Sequence, residues 1–127
     1  MKKVMCFGTF DKLHPGHRYY LSESKKQGDY LIVVVARDQN VLKIKNKLPR
    51  ESEMERLENI KKLEFVDEVV LGDLHNRLAV IVKNQPDILR FGYDQVVDEA
   101  VLQEIFSGEM IRHESFRPEI YKSSKMI

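Results

Sequence analysis

The chain has a single cysteine, no tryptophan, and only six glycines and four prolines among its 127 residues. One cysteine excludes an intramolecular disulfide framework and fits a protein kept in a reducing compartment. Cys6 lies inside the first apolar segment, where we interpret it as a small buried hydrophobe. No apolar run approaches the roughly 18 residues of a membrane span, and no signal-peptide core follows the N-terminal lysines. These absences predict a cytoplasmic protein without a membrane partner.

An excess of charge of either sign is also missing. The 21 basic and 20 acidic residues leave a formal net charge of +1, so no overall field favours a nucleic-acid partner. No Gly/Ser-rich linker, low-complexity segment or internal repeat divides the sequence. At this length, with 43% hydrophobic residues, we expect one domain over residues 1–127 with a core of its own.

Short strand patterns alternate with amphipathic helical patterns along the chain. Strands are predicted over residues 3–8, 30–36, 66–71, 87–91 and 110–113. Helices are predicted between them, over residues 16–27, 51–63, 78–83 and 99–106. Strands that alternate with helices form parallel sheets through right-handed crossovers. The pattern therefore predicts an α/β fold: a single Rossmann-like, doubly wound domain with a parallel sheet of about five strands flanked by helices.

The most informative segment follows the first strand and reads GTFDKLHPGH, from Gly8 to His17. Pro15 suits the first turn of a helix, and Gly8 and Gly16 allow an anion to approach the backbone closely. His14 and His17 are three residues apart, so they project from one face of the helix N-terminus and can both donate to phosphate oxygens. This combination predicts a site that holds a polyphosphate.

GTFD followed by HPGH resembles the signature of the HxGH nucleotidyltransferases, in their cytidylyltransferase-like branch. The resemblance covers nearly all of the chain, with further matches at Ala36-Arg37-Asp38, Arg56 and residues 45–49, 66–69, 92–95 and 117–127. It implies in-line attack by the phosphate of an acceptor on the α-phosphorus of a nucleoside triphosphate, with pyrophosphate leaving. It also implies a divalent cation, Mg²⁺, held by phosphate oxygens and water rather than directly by protein, and a homodimer formed through residues 66–71.

Two groups of enzymes in this family are similar to the chain. Archaeal FAD synthases, which transfer AMP from ATP to FMN, share HPGH, Ala36-Arg37-Asp38, Pro86-Asp87-Ile88 and the Gly-x-Asp-Gln pattern at residues 92–95. Glycerol-3-phosphate cytidylyltransferases, which form CDP-glycerol from CTP, share its length, GTFD and a basic, hydroxyl-rich C-terminal signature. We favour the first group and keep the second as the alternative. A nucleotide-sensing module that binds without turnover is a third hypothesis.

The resemblance also implies roles for individual residues. It assigns phosphate-binding catalytic roles to His14 and His17 and to a lysine, Lys45 or Lys47, on a mobile loop. Asp11 is implied to orient the acceptor or the metal shell. The implied nucleotide-binding set is Thr9, Phe10, His14, Pro15, Gly16, His17, Gly92, Asp94, Arg117, Ser123 and Ser124. Alternatives remain open: the lysines as a solvated loop, Asp11 as a cap of its local turn, and the serine pair as a helix N-cap.

Overall fold

The computed structural model describes residues 1–76, 78–91 and 99–112. In chain order its elements are β1 (Lys3–Gly8), α1 (Pro15–Lys25), β2 (Tyr30–Val35), α2 (Asp38–Lys45), α3 (Glu53–Lys61), β3 (Glu68–Leu71), α4 (Ala79–Asn84), β4 (Ile88–Phe91), α5 (Glu99–Ile105) and β5 (Glu109–Arg112). None of the helices in these ranges has the length and apolar character needed to cross a bilayer.

The strands form one parallel sheet in the order β3-β2-β1-β4-β5. The central strand β1 pairs with β2 along its whole length and with β4 on its other side. The chain first builds outward from β1 to β3 and then continues on the opposite side with β4 and β5. In such sheets the ligand crevice lies beyond the carboxyl ends of the strands at the point of reversal. The predicted doubly wound α/β fold is confirmed.

Helices cover both faces of the sheet. One apolar cluster joins alternate residues of β1 and β2 to Tyr20 and Leu21 of α1 and to Ile60 of α3. The second cluster joins the intervening strand residues to Ile81 of α4 and Leu102 of α5. Because both faces are covered, β1 and β2 contain continuous apolar runs, at residues 4–7 and 31–35.

Helix boundaries follow local capping chemistry. Pro15 is the first residue of α1, as predicted, and α3 begins behind Ser52, whose hydroxyl accepts from the Glu55 backbone N–H while the Glu55 carboxylate accepts from the Ser52 N–H. The predicted elements are found within a few residues of their expected ends.

The sequence-based prediction is wrong in one place: part of the supposed mobile loop is a helix. Residues Asp38–Lys45 form α2, which contains Lys45, and only Lys47 lies in the segment that follows. The helix is short and has little apolar pattern, with Val41 as its buried residue. It ends where Asn46 adopts a left-handed conformation, with φ of 61°. A single buried side chain in eight residues is too weak a periodicity to identify a helix.

Candidate active site

The turn between β1 and α1 is built on a buried aromatic side chain. Phe10 has a positive φ of 56°, and its ring is buried in the core. A Cβ atom at Gly8 would lie only 2.6 Å from Cζ of that ring, so the ring packs there because residue 8 is glycine. The Phe10 ring also contacts the His17 ring edge to face at 5.5 Å. The Phe10 side chain therefore packs against His17 from the protein core, and only the backbone of Phe10 can face a nucleotide.

The two histidines of the HPGH motif stack on each other at the start of α1. Their ring centroids are 3.6 Å apart and their planes differ by 22°. His14 is the N-cap residue, and its Nδ1 accepts from the backbone N–H of Gly16 at 3.1 Å and of His17 at 3.4 Å. The Nδ1 of His17 accepts in return from the His14 N–H at 3.3 Å. The pair thus forms a capping box made of two imidazoles.

These hydrogen bonds determine which ring nitrogen carries the proton. An Nδ1 that accepts a backbone N–H is unprotonated, so each neutral ring carries its proton on Nε2. Burial lowers the pKa of His14. Burial, the neighbouring His14 and the Lys45 charge lower the pKa of His17 to about 4, although the Asp11 carboxylate acts in the opposite direction. At neutral pH the site therefore presents two neutral Nε2–H donors.

The backbone N–H groups in the first turn of α1 already have acceptors within the protein. The N–H groups of Gly16 and His17 donate to His14 Nδ1, the Arg18 N–H donates to the His14 carbonyl at 3.1 Å, and Pro15 has none. The backbone donors of this turn are used to hold the imidazoles. The rings themselves become the donors that a phosphate would meet.

Asp11 holds a distant loop rather than capping its own turn. Its two carboxylate oxygens accept from the backbone N–H groups of Arg50 at 2.8 Å and Glu51 at 2.9 Å. The Lys12 N–H donates in return to the Glu51 side chain at 2.8 Å. Partial burial acts to raise the pKa of Asp11, but the two backbone hydrogen bonds and the Arg56 and Arg50 charges outweigh it and lower the pKa.

A buried arginine connects three segments of the site. The Arg56 side chain of α3 is fully buried, and its guanidinium donates to the carbonyls of Thr9 and Ala36, both at 2.8 Å. It also donates to the Glu51 carbonyl at 3.1 Å and to the Asp38 carboxylate at 2.6 Å. Three carbonyls and a carboxylate around one fixed fork hold the loops that follow β1 and β2 against the start of α3.

Sequence reasoning noted Arg56 as a matching position but assigned it no role. The signal was available in the helical pattern, because Arg56 and Ile60 are four residues apart and therefore share a face of α3. A charged residue on the apolar face of a helix needs buried partners.

The predicted lysines lie at the end of α2 and in the segment after it. Lys45 is the last residue of α2 and acts electrostatically on His17. Lys47 follows the left-handed Asn46 and is exposed, as is Lys45. The remaining predicted residues, Gly92, Asp94, Arg117, Ser123 and Ser124, lie outside the described residues. Within the described ranges, no group of three or more His, Cys, Asp or Glu side chains is arranged to hold a metal ion.

The chain is similar to known proteins over nearly its whole length. The family model described as Cytidylyltransferase-like matches residues 5–126. A protein named FAD synthase from Ferroglobus placidus is 46% identical over 92% of this chain and 76% of its own length. One of the same name from Methanosphaerula palustris is 41% identical over 100% of this chain and 85% of its length.

A solved structure also matches the fold closely. It is the lipopolysaccharide core biosynthesis protein from Thermoplasma volcanium, which superposes with a TM-score of 0.85 and 40% sequence identity. The match covers 91% of this chain and 98% of that one. The parallel sheet and its helices are therefore shared with a solved relative over nearly their whole extent.

Proposed function

Because this chain belongs to the cytidylyltransferase-like family, we propose that it is an FMN adenylyltransferase, an FAD synthase that transfers AMP from ATP to the phosphate of FMN and releases pyrophosphate. The observation that carries the proposal is 41% to 46% identity to proteins named FAD synthase over at least 92% of the chain. The stacked HPGH imidazoles supply the chemistry that such a reaction needs.

The reaction mainly requires stabilisation of the negative charge that develops on the phosphates. A phosphate oxygen of FMN attacks the α-phosphorus in line with the leaving pyrophosphate, so negative charge grows on the β-phosphate as the bond breaks. His14 and His17 donate their Nε2–H groups to the α- and β-phosphate oxygens. Preorganised donors of this kind contribute most in catalysis because they need not reorient during the reaction. The capping box, the Phe10 ring and the stacking of the two imidazoles hold them in place.

Lys45 and Lys47 supply positive charge at the same place. Both are exposed, and both are within or next to the C-terminal end of α2, so either can turn toward a bound triphosphate. Mg²⁺ would enter with the phosphates and neutralise their charge, held by phosphate oxygens and water. Each carboxylate oxygen of Asp11 accepts one backbone N–H and can accept a second hydrogen bond. The proposed role of Asp11 is to orient the water around Mg²⁺ or the acceptor. Gly92, Asp94, Arg117, Ser123 and Ser124 complete the proposed nucleotide site.

The proposal is tested by pyrophosphate release from the purified chain with Mg²⁺. We expect release with ATP plus FMN, together with FAD as the second product, and no release with CTP plus glycerol 3-phosphate. Turnover of the CTP pair alone would assign the chain to the cytidylyltransferase alternative. Nucleotide binding without turnover of either pair would favour the sensing module.

A further inference from the structure

Residues 42–48 form an exposed run in which apolar and basic side chains are interleaved. Its apolar members are exposed to unusual degrees for large hydrophobic residues: Leu42 43%, Ile44 72% and Leu48 58%. Its basic members are Lys43, Lys45 and Lys47. Exposed apolar side chains that cluster in one segment mark a contact with a ligand or partner.

Both ends of this run are fixed to the turn that carries the histidines. At its start, Val41 is buried, and Arg56 binds both the Asp38 carboxylate and the Thr9 carbonyl. Beyond its end, the Asp11 carboxylate binds the backbone of residues 50 and 51. Because residues 9–11 belong to the same turn as the HPGH motif, two residues before it, the run between these two anchors lies near the imidazole pair. The Lys45 charge acts on His17, in agreement with this placement.

The proposed reaction supplies a ligand that matches this surface, so the inference rests on the proposed function. FMN carries its phosphate on a ribityl chain, and at the other end of that chain is a flat and largely apolar ring system. Its phosphate must reach the α-phosphorus beside the imidazoles. The anionic end of FMN would then meet Lys45 and Lys47, while the ring needs an apolar surface within the reach of the ribityl chain.

We propose that Ile44 and Leu48 form the surface against which the isoalloxazine ring of FMN binds. Ile44 directly precedes Lys45, and Leu48 directly follows Lys47. They are the two most exposed apolar side chains of the run. Leu42 lies two residues before Ile44 on α2 and therefore points to a different side of the helix. Ile44 and Leu48 thus determine the preference for a flavin phosphate over a small polar alcohol phosphate.

The test is a double variant, Ile44→Gln with Leu48→Gln, in the full chain. Glutamine removes the apolar contact without changing charge and is a good helix former. The matched control is Val82→Gln in α4, because Val82 is 56% exposed, close to the 58% of Leu48, and is not part of the site. FMN binding is measured by quenching of flavin fluorescence, which does not depend on turnover. KM for ATP, molecular mass and the thermal midpoint are measured in parallel.

We expect the double variant to raise the Kd for FMN about tenfold or more, corresponding to lost apolar contact from two side chains. KM for ATP, mass and thermal midpoint should stay at wild-type values, and Val82→Gln should behave as wild type. An unchanged Kd for FMN in the double variant would overturn the inference. The proposed function would still stand in that case if the wild-type chain turns over ATP and FMN. A fall in mass would assign the side chains to an interface between copies and would also overturn it. Absence of FMN binding by the wild-type chain would instead overturn the proposed function, and the inference with it.

Discussion

Each imidazole of the HPGH motif uses its two nitrogens for different tasks. Nδ1 accepts backbone N–H groups within the capping box and so determines the position of the ring and its tautomer. Nε2 is left as the donor that a phosphate can use. In the proposed mechanism, one side chain therefore contributes both to helix stability and to transition-state binding. Substitution by alanine would mix the two effects, because it removes both nitrogens.

Asparagine separates them at position 14. Asn is among the best N-cap residues, and its Oδ1 can accept the Gly16 N–H as Nδ1 does, but it has no group that replaces Nε2–H. We expect His14→Asn to lower kcat for FAD formation at least about 100-fold with little change in the thermal midpoint. The checks are steady-state pyrophosphate release and thermal unfolding.

A pair of variants at position 17 separates loss of the donor from loss of the cap. His17→Gln places an amide donor near the position of Nε2, and Gln at N3 of a capping box accepts the N-cap N–H through its Oε1. His17→Asn can accept the His14 N–H through Oδ1 but has no donor at the position of Nε2. His17→Gln should therefore retain more activity than His17→Asn at similar stability. Equal activity of His17→Asn and the wild-type chain would contradict the assignment of Nε2–H as a phosphate donor.

The low pKa of His17 makes stability depend on pH in a defined window. An unfolded imidazole takes up a proton near pH 6.5, whereas folded His17 does so only near pH 4, because burial disfavours its charged form. Between these values the unfolded state binds the additional proton, so the free energy of unfolding falls as pH falls from about 6.5 toward 4. The measurement is denaturant unfolding at several pH values, comparing wild type with His17→Asn.

The part of the acid sensitivity that belongs to His17 is the difference between those two curves. The difference should grow as pH falls from about 6.5 to about 4 and should stay constant below pH 4. Parallel curves for wild type and His17→Asn would show that the folded His17 titrates normally.

At the scale of the elements, the site depends on loops held by a buried guanidinium. The segments after β1 and β2 carry backbone carbonyls that point toward α3, and Arg56 binds one from each. Arg37 adds a second connection, from its Nε to the Gly72 carbonyl beyond β3 at 2.8 Å and from its guanidinium to Glu53 at 3.1 Å. Three strand ends are thereby held in one arrangement before any nucleotide binds.

Removal of the Arg56 charge should therefore destabilise the whole domain. Arg56→Gln removes the guanidinium from the Asp38 carboxylate and from three backbone carbonyls, and breaking a buried pair of this kind costs about 3–5 kcal/mol. Lys61→Gln, which removes an exposed charge from the same helix, is the control and should change stability little. Denaturant unfolding measures both. A loss below about 1 kcal/mol for Arg56→Gln would contradict this account.

At the scale of the whole molecule, the strand order β3-β2-β1-β4-β5 places β1 at the centre of the sheet and leaves β3 and β5 at its edges. Because β1 is central, the strand that leads into the turn with the HPGH motif has a paired strand on each side. The edge position of β3 leaves one side of its backbone unpaired within the sheet, as in any edge strand. Residues 66–71 remain the segment that we predict to join two copies.

A homodimer predicts a solution mass twice that of the 14.9 kDa chain. Light scattering over a range of concentrations measures the mass, and hydrogen exchange of residues 66–71 tests the contact. Amide protection in that segment should rise with concentration, while protection in the central strand β1 should not change. A mass of one chain at every concentration would contradict the prediction.

Much of the fold could be predicted because its signals are local. The apolar run of β2, the Pro15 helix start and the His14 and His17 pair each lie within a few consecutive residues. Two features were missed for different reasons. The helix α2 has one buried residue and hence almost no periodic pattern. The burial of Arg56 could be inferred from its spacing to Ile60, but its partners could not, because the Thr9 and Ala36 carbonyls are 47 and 20 residues away in the chain.

The sequence by itself determined the α/β class and predicted a phosphate-binding turn with its donor residues, because periodicity and a ten-residue motif encode both locally. The tertiary structure alone decided how those donors are presented. Reciprocal capping places the imidazole protons on Nε2, burial keeps His17 neutral, and the Asp11 and Arg56 hydrogen bonds bring an exposed lysine and isoleucine run beside them. These properties arise from contacts between segments distant in the chain, and burial and hydrogen-bond geometry exist only after folding.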